Sequence, residues 1–160
     1  MDGQKSSLIA IEESIHDKSK LDQLQSRLQI NREKSKKDKV EQNGVDGLVH
    51  ELQDKSTDLE RRLYDGSVTN VKEMESLTAE LEYVKKQLNV AEEELLFLML
   101  ELENSGKEQI QIESALTDCE LEQRESNFAL TKELDSITSL LETNLKEREN
   151  LAKSISATLL

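Results

Sequence analysis

From Met74 to Leu102 the apolar residues Met74, Leu77, Leu81, Val84, Leu88, Ala91, Leu95, Leu98 and Leu102 fall alternately three and four positions apart without an error. A spacing that averages about 3.5 residues keeps one stripe turned toward a neighbouring helix, whereas a strand would need a period of two. The phase continues through Ser105, Gln109, Ile112, Leu116, Cys119, Gln123, Ser126 and Leu130, so Gly106 need not end the helix. After Leu130 the register skips and resumes with Leu134, Ile137 and Leu141, a stutter of the kind that locally unwinds a supercoil.

A second seam precedes the first: Leu21, Leu24, Leu28, Asn31, Ser35, Asp38, Gln42, Val45, Val49, Leu52, Ser56, Leu59 and Leu63. Its middle is polar, and it contains Gly44 and Gly47, each of which costs about 1 kcal/mol against alanine inside a helix. The phase survives both, which favours a weak or kinked helix over a loop. No proline occurs anywhere in the chain, so nothing removes a backbone donor and forces a break. Leu, Glu, Lys, Arg and Ala together supply 78 of the 160 residues, the share that accompanies long helices and coiled coils.

Between the seams, Asp65-Gly66-Ser67-Val68-Thr69-Asn70 is the one stop and start. Gly66 suits the left-handed residue that ends a helix, Asn70 suits the next N-cap, and Glu73 three residues later predicts a capping box. A connection this short between long helices predicts an antiparallel pair. The expected fold is therefore all-α, a long antiparallel coiled-coil helical hairpin filling residues 1–160 as a single domain. Helix one is expected over about residues 6–64, the tip over 65–70 and helix two over about 71–157. Folding about the tip pairs residue i with about 137 minus i, which sets Lys34 and Lys36 near Glu103 and Glu101. About 28 residues of helix two then overhang, and their bare seam calls for a second chain or further sequence to cover it. The expected assembly is a homo-oligomer.

The string LYDGSVTNVKEMESLTAELE, followed by LNVAEEELLFLMLELE, resembles the hairpin tip and second helix of bacterial C4-type zinc-ribbon proteins that carry a coiled-coil hairpin. Leu63, Tyr64, Gly66, Val68, Thr69, Asn70, Lys72 and Glu73 carry the match at the tip, and Leu95, Leu96 and Met99 carry it beyond. The resemblance covers roughly residues 48–103. It implies a partner linked to transcription through an alternative sigma factor of the nitrogen-regulation type, or a flagellar partner in a flagellated organism. The chain departs from that family in two ways: Val71 stands where members often have proline, and the two CxxC pairs of the ribbon are not in this sequence. The expected cofactor is therefore none, with zinc implied only if a ribbon lies beyond Leu160.

Charge narrows the function classes. Residues 1–64 carry 12 basic and 13 acidic side chains, and residues 65–160 carry 9 and 21. A net charge of −13, held almost entirely by the second half, repels phosphates over most of the surface. Nucleic acid is a possible partner but not the favoured one, and its only candidate contact is the cluster Arg32, Lys34, Lys36, Lys37 and Lys39. That cluster lacks aromatic residues for base stacking, and interhelical ion pairs explain it without a ligand. No apolar run approaches the roughly 20 residues of a membrane span and no leader is evident, so a soluble, cytoplasmic protein that does not bind membranes is expected. His16 and His50 lie too far apart on one helix to share a site, and Cys119 falls on the seam, where a thiol packs as a small hydrophobe. An enzyme is not expected.

The feature that seam packing leaves unexplained is Leu95-Leu96-Phe97-Leu98-Met99-Leu100. Leu95 and Leu98 serve the seam, while Leu96, Phe97, Met99 and Leu100 point elsewhere around the helix and predict a partner-binding or dimerisation patch. The tip residues Tyr64, Gly66, Val68, Thr69, Asn70, Lys72 and Glu73 form the second candidate site. The sequence thus predicts a non-enzymatic protein-interaction module or scaffold. The alternative is the arm of a zinc-ribbon nucleic-acid-binding protein whose ribbon is missing here.

Overall fold

The computed structural model describes residues 2–159. Two helices account for nearly all of it: α1, Asp2–Tyr64, and α2, Val71–Thr158. Helix α1 starts at Asp2 instead of residue 6, and Ser7 Oγ donates to Gly3 O at 2.9 Å. Gly44 and Gly47 stay inside α1, and Gly106 stays inside α2. Their backbone is helical because packing along the seam outweighs the roughly 1 kcal/mol propensity cost of each glycine.

The chain forms two packed units, one of Ser26–Glu113 and one of Met1–Gln25 with Ser114–Leu160. In the first, every seam position from Leu28 to Leu63 on α1 and from Leu77 to Ile112 on α2 is buried or half-buried. Its core gathers Val49, Leu52, Leu59, Val68, Leu77, Leu81, Val84 and Ala91, with Leu63, Leu88 and Leu95 packed against them. In the second unit, Cys119 is 2% exposed and its Sγ approaches Asp17 O at 3.8 Å. Ala10, Ser14 and Asp17 extend the α1 seam there, upstream of where the sequence marks it.

Ion pairs and one amide–carboxylate hydrogen bond mark the register of Ser26–Glu113. On one edge Arg27 meets Glu108 (3.3 Å), Lys34 meets Glu101 (3.0 Å) and Lys55 meets Glu80 (3.1 Å), and the paired residue numbers total 135. On the other edge Arg32 meets Glu113 (3.1 Å), Gln53 meets Glu92 (3.4 Å) and Glu60 meets Lys85 (2.6 Å), totalling 145. The layers between total 140, and Ser35 Oγ lies 2.7 Å from Ser105 Oγ in one of them. The helices are therefore offset by about three residues from the expected total of 137, and Val68 of the connection is buried in the same core. With this offset Lys34 pairs with Glu101, while Glu103 turns along its own helix to Lys107 at 2.7 Å.

Candidate functional site

The tip is built by local chemistry. Gly66 has φ +75°, a conformation that glycine adopts without the steric penalty of a Cβ. Asp65 Oδ1 accepts from the Ser67 N–H at 2.9 Å, and hydrogen bonding from Ser67, side chain first and backbone second, holds the Asp65 carboxyl below its ordinary range. Asn70 Oδ1 accepts from the Lys72 N–H at 3.0 Å and Asn70 O accepts from the Met74 N–H at 3.0 Å, so Asn70 is the N-cap of α2. The capping box is incomplete: among the described residues no bond joins the Asn70 N–H to Glu73. Asn70 is exposed, so water can serve that donor, and Glu73 contributes its charge to the first turn. Val68 is buried, whereas Tyr64, Thr69 and Lys72 face solvent.

Leu96, Phe97, Met99 and Leu100 are all exposed, at 66, 62, 49 and 55%, while Leu98 between them is 6% exposed. They do not form one face. Seven-residue counting places Phe97 on the edge of the Lys34–Glu101 pair and Met99 on the edge of the Arg32–Glu113 pair. Leu96 lies on the Met99 side, and Leu100 lies farthest from the seam. Phe97 continues a row of exposed side chains seven residues apart, Tyr83, Val90 and Phe97, which sequence analysis missed. The signal was that spacing, set off from the seam by a fixed two positions. Leu48 of α1 joins the row by lining one concavity with Val90, Ala91 and Glu94.

The basic cluster is divided between the edges. Lys34 is bound to Glu101, and that hydrogen bond raises its pKa. Arg32, Lys36 and Lys39 line a concavity of about 590 Å³ on the other edge, with Ser35 and Gln109. Lys39 there stands opposite Gly106, which offers no side chain, and donates to Gln42 Oε1 at 2.8 Å. Lys37 does not line this concavity.

Among the described residues no group of three His, Cys, Asp or Glu side chains could hold a metal ion. A zinc ribbon needs two pairs of cysteines, and the one cysteine of this chain is packed into a seam, so the residues present do not fit a zinc site. Among the described residues no helix is long and apolar enough to cross a membrane.

No curated protein and no solved structure matches the chain. The CT398-like coiled coil hairpin domain family does match, over residues 3–160. The paired edges, the capped turn and the two uninterrupted helices agree with that description, and the chain belongs to the CT398-like coiled coil hairpin domain family.

Proposed function

We propose that the chain is a non-enzymatic protein-binding module that works in the cytoplasm without a cofactor. The observation that carries this reading is the exposure of Leu96, Phe97, Met99 and Leu100 in the middle of an otherwise well-packed pair of helices. Leaving such side chains wet forgoes roughly 1.5 to 3 kcal/mol each, which a partner surface recovers. The resemblance of residues 48–103 to the hairpins of bacterial zinc-ribbon proteins supports a transcription-linked or flagellar partner, with the tip as a second contact.

A homo-oligomer belongs to the same reading. In the unit of Met1–Gln25 with Ser114–Leu160, Leu8, Ile11 and Ile15 of α1 and Leu134, Ile137 and Leu141 of α2 are exposed. A second copy is the proposed cover for them.

The double variant Phe97→Ser with Leu100→Ser tests the reading. Both side chains are exposed, so helicity by circular dichroism should stay as it is, while partner capture should fall. Unchanged capture would remove the patch from function. The concavity of Arg32, Lys36 and Lys39 favours a second reading, contact with RNA phosphates. That reading requires salt-dependent RNA binding that Lys36→Glu with Lys39→Glu abolishes.

A further inference from the structure

We propose that the edge of Ser26–Glu113 bearing Leu48, Val90 and Phe97 seats a basic amphipathic helix of a partner protein, a proposal that rests on the protein-binding reading and gives the partner its chemistry. On this edge cation and carboxylate meet at Arg27–Glu108, Lys34–Glu101 and Lys55–Glu80. The same seven-residue step places Glu41 opposite Glu94 and Leu48 opposite Gln87, so the row of ion pairs is broken by two carboxylates and then by an apolar residue. Glu41 and Glu94 line one concavity of about 290 Å³ with Phe97. Asp38 lines it as well, and its Oδ2 is cut off from water with no hydrogen-bond donor.

That concavity shares Glu94 with the one of about 350 Å³ beside Leu48 and Val90, and shares Lys34 with one of about 200 Å³ beside Ile30. Together they make one groove, from Leu48 to Arg27 along α1, roughly 30 Å or three heptads long. Ile30, Leu48, Val90 and Phe97 are its exposed apolar residues. A helix with apolar residues three and four apart would bury them, and Lys or Arg beside that stripe would meet Glu41 and Glu94. Charge disfavours two other occupants. Arg27, Lys34 and Lys86 line the groove against Asp38, Glu41, Glu94, Glu101 and Glu108, and residues 26–113 as a whole carry 20 acidic and 13 basic side chains, a net negative field that repels both a phosphate backbone and the same face of a second copy.

The test uses the full chain and two synthetic peptides of 21 residues. Both carry leucine at the seam positions; one has lysine and the other glutamate at the flanking positions. Fluorescence anisotropy should report binding of the lysine peptide alone. Phe97→Ser should weaken it by about tenfold, and Glu94→Gln by about threefold with a shallower salt dependence. Glu92→Gln, on the opposite edge, should leave it unchanged. Binding of both peptides or of neither, or equal losses from Glu92→Gln and Glu94→Gln, would overturn the proposal. If it falls while Phe97→Ser with Leu100→Ser still abolishes capture, the broader protein-binding reading stands without it.

Discussion

Gly66 and Asn70 decide whether the two helices can turn into each other. Nothing lies within 4 Å of the place a Gly66 Cβ would occupy, so the penalty of a side chain there comes from φ +75° and not from crowding. Gly66→Val should therefore destabilise more than Gly66→Asn, since asparagine tolerates the left-handed region. Asn70→Ala should cost about 1 kcal/mol by loss of the cap to the Lys72 N–H. Thermal melts of residues 26–113 within the full chain would check both, and equal melts for all three variants would contradict the turn. A second prediction concerns His50, whose pKa is raised first by its hydrogen bond to the Asp46 carbonyl and then by the Asp46 carboxylate. A raised pKa stabilises the folded chain below the ordinary histidine range, and that gain is lost as pH rises through the folded-state value. NMR titration should place His50 above about 6.5. Asp46→Asn should lower the value only in part, because the carbonyl remains. Gly66 and Asn70 were legible in the sequence because their backbone demands are local. The burial of Val68 was not, because it depends on a core gathered from both helices, far apart in sequence.

At the scale of the helices, the heptad pattern carried nearly all of both seams, including the polar stretch of α1. Asn31, Ser35, Asp38 and Gln42 are buried or half-buried although none is apolar. Phase, held by the leucines and valines beyond them, keeps them inward. The offset between the helices was not legible, since a shift of three or four residues exchanges one seam position for another and leaves the apolar pattern unchanged. Polar contacts distinguish these alternatives: Asn31 Nδ2 donates to Ser105 O at 3.3 Å, and the Ser35 and Ser105 hydroxyls meet. Asn31 Oδ1 is buried without a donor, so this residue costs stability while it marks the register. Asn31→Leu should raise the denaturant midpoint. It should also permit slipped pairings, read as cross-links between cysteines placed at positions 34 and 101 that become less complete. A lower midpoint would show that the amide is a net stabiliser. The edge groove was hidden for a related reason: whether Leu48 and Val90 line one concavity depends on the offset.

Across the whole molecule, charge separates two kinds of exposed apolar surface. The Phe97 row lies within residues 65–130, whose side chains sum to −11, whereas residues 131–160 carry 4 basic and 5 acidic groups. Pairing two copies along the first segment opposes like fields; pairing them along the second meets almost none. The apolar stripe also leaves the seam on both helices of the unit formed by Met1–Gln25 with Ser114–Leu160. Ile11 and Ile15 stand one residue past the half-buried Ala10 and Ser14, and Leu134 stands one residue past the position that would continue the phase of Leu130. A step of one residue turns a side chain by about 100°, enough to carry Ile11, Ile15 and Leu134 off the intrachain contact. In an antiparallel pair equal steps on the two helices lead to the same edge, so Ile11 and Leu134 share one. Leu134→Ser with Leu141→Ser should accordingly lower the mass in sedimentation velocity while helicity by circular dichroism is retained, because neither residue is part of the buried core. The acidic segment should show the converse behaviour, with Phe97→Ser leaving self-association intact and removing only the binding of the lysine peptide. If Leu134→Ser with Leu141→Ser leaves the mass unchanged at every protein concentration, the exposed stripe is not where two copies meet. Equal loss of mass from Phe97→Ser would instead mean that the apolar contacts of the acidic segment outweigh its charge.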